Sequence, residues 1–309
     1  MTSRARESSY PLTKEEALKF LECNLGIPTS QICTDGKSME FLNRVIKEMD
    51  RSLPFNNFTR LTEGPLSNFK PEDWKNKILS GQGGTCRCKN PFMKALLECL
   101  GYTTLQIPGN NPLRDGKNQT HISTLVCDIS YPGSRHLVDT STCWPLGEAI
   151  PIDFATESPE YSSYQIRRKF FKIDKDFLHL GIPLPSGGPE KQVMRDASGA
   201  KWEIRMIYWL NERADWKEFN ESFIKTHEIQ NLPFKKPYDT LLFYGFLNKK
   251  RVRIVCPDGQ IHATFYSLED STKEYVIMTK AELLDFFQNH FPQYSVQKLE
   301  KACQVSNVI

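Results

Sequence analysis

No apolar stretch in this chain approaches the ~20 residues needed to cross a bilayer. The longest strongly apolar run is Leu241–Leu247. The first residues, Met1–Tyr10, are polar and lack the apolar core of a secretion signal. An even cysteine framework is missing too: nine cysteines are scattered along a chain too long to need disulfide staples. Neither sign of charge is in excess. Forty Lys and Arg against 37 Asp and Glu give a net charge of +3, which requires neither nucleic acid nor membrane as a partner. Internal repeats and low-complexity segments are absent. These absences point to a globular protein of a reducing compartment, expected to be cytoplasmic. The triplets beginning at Asn57, Asn118 and Asn220 match the glycosylation pattern, but without a secretion signal that match carries no weight.

What is present is enough for two or three packed units: 309 residues, 39% of them hydrophobic. The first hundred read as helices. Thr13-Lys14-Glu15-Glu16 is a capping box, followed at helical spacing by Ala17, Leu18, Leu21 and Leu25 until Gly26. Phe41, Leu42, Val45, Ile46 and Met49 share one face of a second helix over Met39–Met49. Pro71 opens a third, ending at Leu79, and a fourth begins at Cys86 and stops near Gly101. Strands are then expected over Tyr102–Ile107, Ile122–Ile129 and His136–Asp139, with a turn at Tyr131–Ser134. A Pro- and Gly-rich loop spans Gly181–Gly188, a strand Lys201–Leu210 and a helix Trp216–Thr226. The last part reads as strands Leu241–Leu247, Arg251–Cys256, Gln260–Leu268 and Glu274–Met278, closed by a capped helix from Thr279. Helices first and antiparallel strands afterwards predict an α+β fold. The basic clusters Arg167–Lys169 and Lys249–Arg251 are expected to be solvated faces.

The chemistry concentrates at Gly83-Gly84-Thr85-Cys86. A glycine pair delivers a cysteine to the first turn of an apolar helix, suggesting an exposed thiol. The positive end of the helix dipole there favours thiolate. Downstream, His121 and Asp139 stand beside apolar β sequence, which suggests a nucleophile with its base and orienting acid. His136 competes for the base and Asp128 for the acid. Geometry sets a condition. A two-residue turn on Pro132-Gly133 would put Asp139 opposite Val126, on the wrong face for His121. The triad therefore requires a bulge or an asymmetric loop between these strands. Cys88 projects from another side of the helix and reads as structural. Together with Cys86 it lacks the second pair that a zinc site needs, so no metal is expected.

At these residues the chain resembles the arylamine N-acetyltransferases over nearly its whole length. Gln82-Gly83-Gly84-Thr85-Cys86-Arg87-Cys88-Lys89-Asn90 is similar to the family's Arg-Gly-Gly-x-Cys-x-x-x-Asn. Pro54-Phe55-Asn56-Asn57-Phe58 is similar to its Pro-Phe-Glu-Asn-Leu, and His136-Leu137-Val138-Asp139 to its Val-Asp strand. Tyr164–Arg168 resembles an inter-domain segment of vertebrate members, and Ser306–Ile309 their tail. The resemblance implies a helical bundle over 1–100 carrying the nucleophile, a β-barrel with the inter-domain segment over 101–210, and an α/β lid over 211–309. It implies acetyl transfer from acetyl-CoA, as co-substrate, to an aromatic amine or hydrazine through a Cys86 thioester, in ping-pong order, as in xenobiotic metabolism. His121 would move the proton and Asp139 orient it. Phe55 and Thr120 would contact the acceptor, and Lys117, Asn118, Phe223 and Ser306 would contact CoA. Rival readings keep the triad for transglutaminase- or papain-like acyl transfer or hydrolysis on amides, or keep the fold as a non-catalytic CoA-binding relative. Arg87 stands where such amide-cleaving sites usually place tryptophan. Departures from the family pattern are Gln82 for arginine, Asn56 for glutamate, Phe223 for a tyrosine, and a shortened Thr140-Ser141-Thr142-Cys143 for a glycine-rich turn. Side chains in that turn are expected to narrow the site.

Overall fold

Each expected helix of the first hundred residues begins where its start signal stands. The computed structural model describes residues 11–30, 37–63, 70–113, 119–184, 192–215, 219 and 240–308. Helix α1 (Lys14–Cys23) carries the capping box: Glu16 N donates to Thr13 Oγ1 at 3.1 Å, and Thr13 N donates to the Glu16 carboxylate at 2.9 Å. Helix α2 (Met39–Ser52) is capped by Ser38, three residues longer at its end than the expected Met49. Helix α3 (Phe58–Glu63) is short, and Phe58 N donates to Asn56 Oδ1 at 3.1 Å at its start. Helices α4 (Pro71–Leu79) and α5 (Cys86–Cys99) follow. Phe20, Phe41, Leu42, Ile46, Phe92 and Leu96 join their faces into one buried core.

The central part is a nine-stranded antiparallel sheet that curls as a half-barrel. Its strands include β2 (Thr103–Asn110), β3 (His121–Cys127), β4 (Arg135–Val138), β5 (Ile150–Pro151), β6 (Tyr161–Ser163), β7 (Ile166–Phe171), β8 (Phe177–Pro183), β9 (Val193–Arg195) and β10 (Lys201–Trp209). The loop between β3 and β4 meets the condition set by the sequence. Val138 pairs with Thr124 and His136 with Val126, so the next pair sets Asp139 across from Ser123, on the face of His121. Asp128, with φ of 57°, and Gly133, with φ of 86°, make this asymmetric connection. Gly133 N donates to Asp128 Oδ1 at 2.6 Å. Asp128 is thus a turn former.

The C-terminal part is a five-stranded sheet covered by two helices. Its strands are β11 (Leu242–Leu247), β12 (Lys250–Val255), β13 (Ile261–Ser267) and β14 (Lys273–Met278), and its helices α6 (Lys280–His290) and α7 (Val296–Val305). The first strand, β1 (Phe55–Asn56), comes from the N-terminal part and pairs with Tyr244 and Phe243. Helix α3 goes with it: Phe58 lies 5.0 Å from the Tyr294 ring and 5.4 Å from Phe287, ring centre to ring centre. Burying one such phenyl contributes about 1.5–3 kcal/mol.

Several expectations needed revision. Residues Gly181–Pro183 continue strand β8 rather than open a loop, and 185–191 lie outside the described residues. Tyr164 and Gln165, with φ of 51° and 60°, turn a tight hairpin between β6 and β7. Arg168 is fully buried, because strand alternation throws it inward where Arg167 points out. It donates to Pro145 O at 2.6 Å and Leu146 O at 3.3 Å. The expected helix 216–226 lies outside the described residues except for position 219.

The glycine pair ties these parts together. Gly84 N donates to Pro54 O at 3.0 Å and Asn56 N to Gly84 O at 3.3 Å, a parallel bridge between the loop before Cys86 and β1. Gly83 has φ of 64°, and a Cβ there would run into the Pro54 carbonyl. Gly83→Ala is therefore expected to cost about 1–3 kcal/mol through backbone strain, read as a lower thermal midpoint, whereas Gly199→Ala, with φ of 84° but nothing within 4 Å of its Cβ, is expected to cost less.

Candidate active site

Cys86 is the first residue of α5, placed by the extended Thr85 N-cap. Its side chain is buried, with 7% of its surface exposed, contrary to the exposed thiol suggested by the glycines. The bridge to Phe55 explains this: the glycines press the loop against a neighbouring strand instead of lifting it into solvent. Cys86 Sγ lies 3.8 Å from Thr120 O and within hydrogen-bonding reach of His121. His121 opens β3, and its Nε2 is 2.7 Å from Asp139 Oδ2. Because Nε2 is committed to the carboxylate, Nδ1 is the nitrogen left for Cys86.

Asp139 is completely buried just beyond β4. Its Oδ2 also accepts from Ser123 Oγ at 3.1 Å and Tyr208 OH at 3.0 Å. Its Oδ1 accepts from Asn90 Nδ2 at 2.9 Å and Ser141 N at 3.1 Å. Asn90 lies one helical turn beyond Cys86, so the two side chains share a face of α5. It donates in addition to Ile122 O at 2.6 Å, while its Oδ1 accepts from Thr140 N at 3.1 Å. Asn90 and Tyr208 are the residues that sequence reasoning passed over. Asn90 was visible as the last position of the cysteine motif; Tyr208 carried no signal, since a tyrosine on an alternating strand reads as core.

Burial alone would lower the His121 pKa, but the Asp139 carboxylate and Cys86 outweigh it and push it up to about 10. For Asp139 burial acts upward, yet His121 and the bonds from Asn90 and Ser141 hold its carboxyl below the usual value. His121 is therefore an imidazolium at neutral pH. Burial raises the Cys88 thiol to about 12, and its Sγ donates to Thr85 O at 3.1 Å. The competitor His136 faces away, with Nε2 3.3 Å from Ser130 Oγ, and burial lowers its pKa.

Cys86 and His121 line a cavity of about 370 Å³ together with Phe55, Thr120, Ser141 and Thr142. This volume suits a small ligand. The Ser141 hydroxyl is buried without a hydrogen-bond partner among the described residues. Ser306 caps the end of α7, buried and with its hydroxyl unpartnered among the described residues, and does not line this cavity. Lys117, Asn118 and Phe223 lie outside the described residues. Among the described residues no group of three or more His, Cys, Asp or Glu could hold a metal ion, and no helix is long and apolar enough to cross a membrane.

The two motif departures upstream of Cys86 meet each other. Asn56 Nδ2 donates to Gln82 O at 2.8 Å and to Tyr294 OH at 2.9 Å. Lys298 Nζ donates to Gln82 Oε1 at 2.8 Å. Amides thus occupy both positions where the family pattern has opposite charges.

Residues 38–178, which contain Cys86, His121 and Asp139, match the family model Acetyltransf_2, described as N-acetyltransferase. This stretch of the chain is similar to that family. A comparison with curated protein sequences finds no match. Solved structures share the fold. The arylamine N-acetyltransferase of Mycobacterium abscessus superposes with a TM-score of 0.70 at 14% identity, covering 96% of this chain and 95% of that one. The Mycobacterium marinum arylamine N-acetyltransferase in complex with CoA gives 0.69 at 14% identity, covering 93% and 99%. The Bacillus cereus arylamine N-acetyltransferase, described as having a Cys-His-Glu triad, gives 0.64 at 17% identity, covering 88% and 96%. In this chain the acid that meets His121 is an aspartate, Asp139.

A raised His121 pKa stabilises the fold below the unfolded value near 6.5, and that contribution is lost as pH rises through about 10. An NMR titration of His121 should show its midpoint far above 6.5, and Asp139→Asn should bring it down. A midpoint at or below 6.5 in the unaltered protein would contradict the imidazolium assignment.

Proposed function

We propose that this chain transfers an acetyl group from acetyl-CoA to an arylamine or arylhydrazine through a thioester on Cys86. The observation that carries this reading is that Cys86 and His121 share the wall of one small cavity, with Asp139 buried behind His121 and hydrogen-bonded to it. The reacting end of acetyl-CoA fits there, since the thiol and the imidazole share the wall with room beside them.

In the first half-reaction the Cys86 thiolate attacks the acetyl carbonyl. A new thioester forms as the old one breaks, so the exchange is nearly isoenergetic, and two easier steps replace a difficult direct one. His121, held protonated by Asp139, supplies a proton to the departing CoA sulfur. In the second half-reaction the amine attacks the Cys86 thioester, and His121 takes the proton that the nitrogen releases. Asp139 keeps Nε2 occupied throughout, so Nδ1 does the work. Phe55 supplies an aromatic wall for the acceptor, and Thr120 shares that wall. Contacts to the rest of CoA are assigned, on the resemblance alone, to Lys117, Asn118, Phe223 and Ser306. The division into a bundle over 1–100, a barrel unit over 101–210 and a lid over 211–309 belongs to this reading, as do a cytoplasmic location and a part in xenobiotic metabolism.

Incubation with acetyl-CoA should add one acetyl group to the intact mass, and a chase with an aromatic amine should remove it. Cys86→Ala should show no adduct. CoA binding without an adduct would defeat the transferase reading in favour of a binding protein.

A further inference from the structure

The helix that begins with Cys86 also carries a buried lysine that the reaction does not use. Lys89 stands three residues beyond Cys86 on α5, and its Nζ donates to Leu53 O at 2.7 Å. Leu53 caps the end of α2, where backbone carbonyls lack helical partners and the dipole favours a cation. Two residues further on is Phe55, on the wall of the catalytic cavity. Asp50 lies on the last turn of α2, buried as well, and its Oδ2 accepts from Gly147 N at 3.1 Å. Gly147 follows the Thr140–Cys143 turn in the segment that leaves Asp139. Asp50 and Lys89 line one void of about 20 Å³. Phe55, Thr142, Cys143 and Tyr244 line both that void and the catalytic cavity.

Burial acts against both charges, pushing the Asp50 carboxyl up and the Lys89 ammonium down. Lys89 and Arg168 oppose the shift at Asp50, and Asp50 and Asp139 oppose it at Lys89. Such a pair is a poor source of stability, since apolar side chains of similar volume serve as well or better. What the two ions add is direction. A hydrogen bond fixes the separation of the segments it joins, whereas apolar contacts tolerate repacking. Here the end of α2 is bonded to the Cys86 helix through Lys89 and to the segment after Asp139 through Asp50. Two walls of the cavity, Phe55 and Thr142, thus stand on segments with a common anchor. Resting on the acetyl-transfer reading above, we infer that Lys89 and Asp50 are positioning residues for the acceptor step. They fix the gap between Phe55 and the Thr140–Cys143 turn, and so the thickness of acceptor that reaches the Cys86 thioester. Neither lines the catalytic cavity itself.

The test removes the charges in two ways. Asp50→Leu with Lys89→Met makes the pair apolar, whereas Asp50→Asn with Lys89→Gln keeps an acceptor for Gly147 N and a donor for Leu53 O. The adduct on Cys86 is first confirmed by intact mass, so that a failure of acetylation is seen separately. Flat aniline and the thicker 4-tert-butylaniline then serve as acceptors. The apolar variant should keep the thermal midpoint and the rate of Cys86 acetylation. It should shift the kcat/KM ratio of the two amines about 10-fold toward the thicker one, the worth of a methyl-sized change in a pocket. The amide variant should hold the ratio close to that of the unaltered protein. An unchanged ratio in the apolar variant would overturn the inference, and so would the same shift in both variants. A large fall in the midpoint of the apolar variant would overturn it too, because the pair would then serve stability. Equal slowing of Cys86 acetylation would do the same, because the pair would then act on Cys86 itself.

Discussion

The carboxylate of Asp139 is the fixed point of this molecule. Burying an ion of this kind costs several kcal/mol unless hydrogen bonds offset the lost hydration. Five donors do so, from α5, from β3, from β10 and from the turn that follows Asp139 itself. The helical part and the central sheet are thereby held to one point, and the relative placement of Cys86 and His121 follows from it. The same carboxylate keeps His121 charged. One group is thus both a structural joint and the source of the site's electrostatics.

A second joint acts between the loop before Cys86 and the C-terminal sheet. The Gly83-Gly84 backbone bridges to Pro54–Asn56, and β1 in turn pairs with β11. The segment that carries the cavity-wall residue Phe55 is therefore bonded on one side, through Pro54 O and Asn56 N, to the loop that carries Cys86, and paired on the other with the strand that carries Tyr244. This explains how Asn56 and Gln82 can stand where the family pattern has charges. Their bonds run through amide and carbonyl groups, closed by Tyr294 and Lys298 from the C-terminal part. The shortened turn after Asp139 is likewise held by local bonds. Thr140 is tied to Asn90, and Arg168 fixes the carbonyls at Pro145 and Leu146.

Much of the fold could be read from local signals. Capping boxes at Thr13 and Thr279 and Pro71 placed helix starts to the residue. The C-terminal strands fell within a residue of their expected bounds because alternation and a Pro-Asp-Gly turn punctuate them. Helix α3 and the hairpin at Tyr164-Gln165 were not legible. The first depends on burial against α7, and the second on two non-glycine residues with positive φ. The buried Arg168 and half-buried Arg251 lay within charge runs that resemble solvent faces, yet strand alternation divides such runs between inside and outside.

The sequence by itself determined which residues the site would gather: a cysteine at a helix start, a histidine and an aspartate on neighbouring strands, and the motif by which they resemble a family. It also set the condition that the β3–β4 connection be asymmetric. Only the tertiary structure decided that the condition was met, because register is fixed by loop conformation and a shift of one residue exchanges the faces of a strand. It alone gathered Asn90, Ser123 and Tyr208 around Asp139, and it alone brought Lys89 and Asp50 to one void. Hydrogen-bond partners far apart in the chain are set by packing, and no local pattern encodes them.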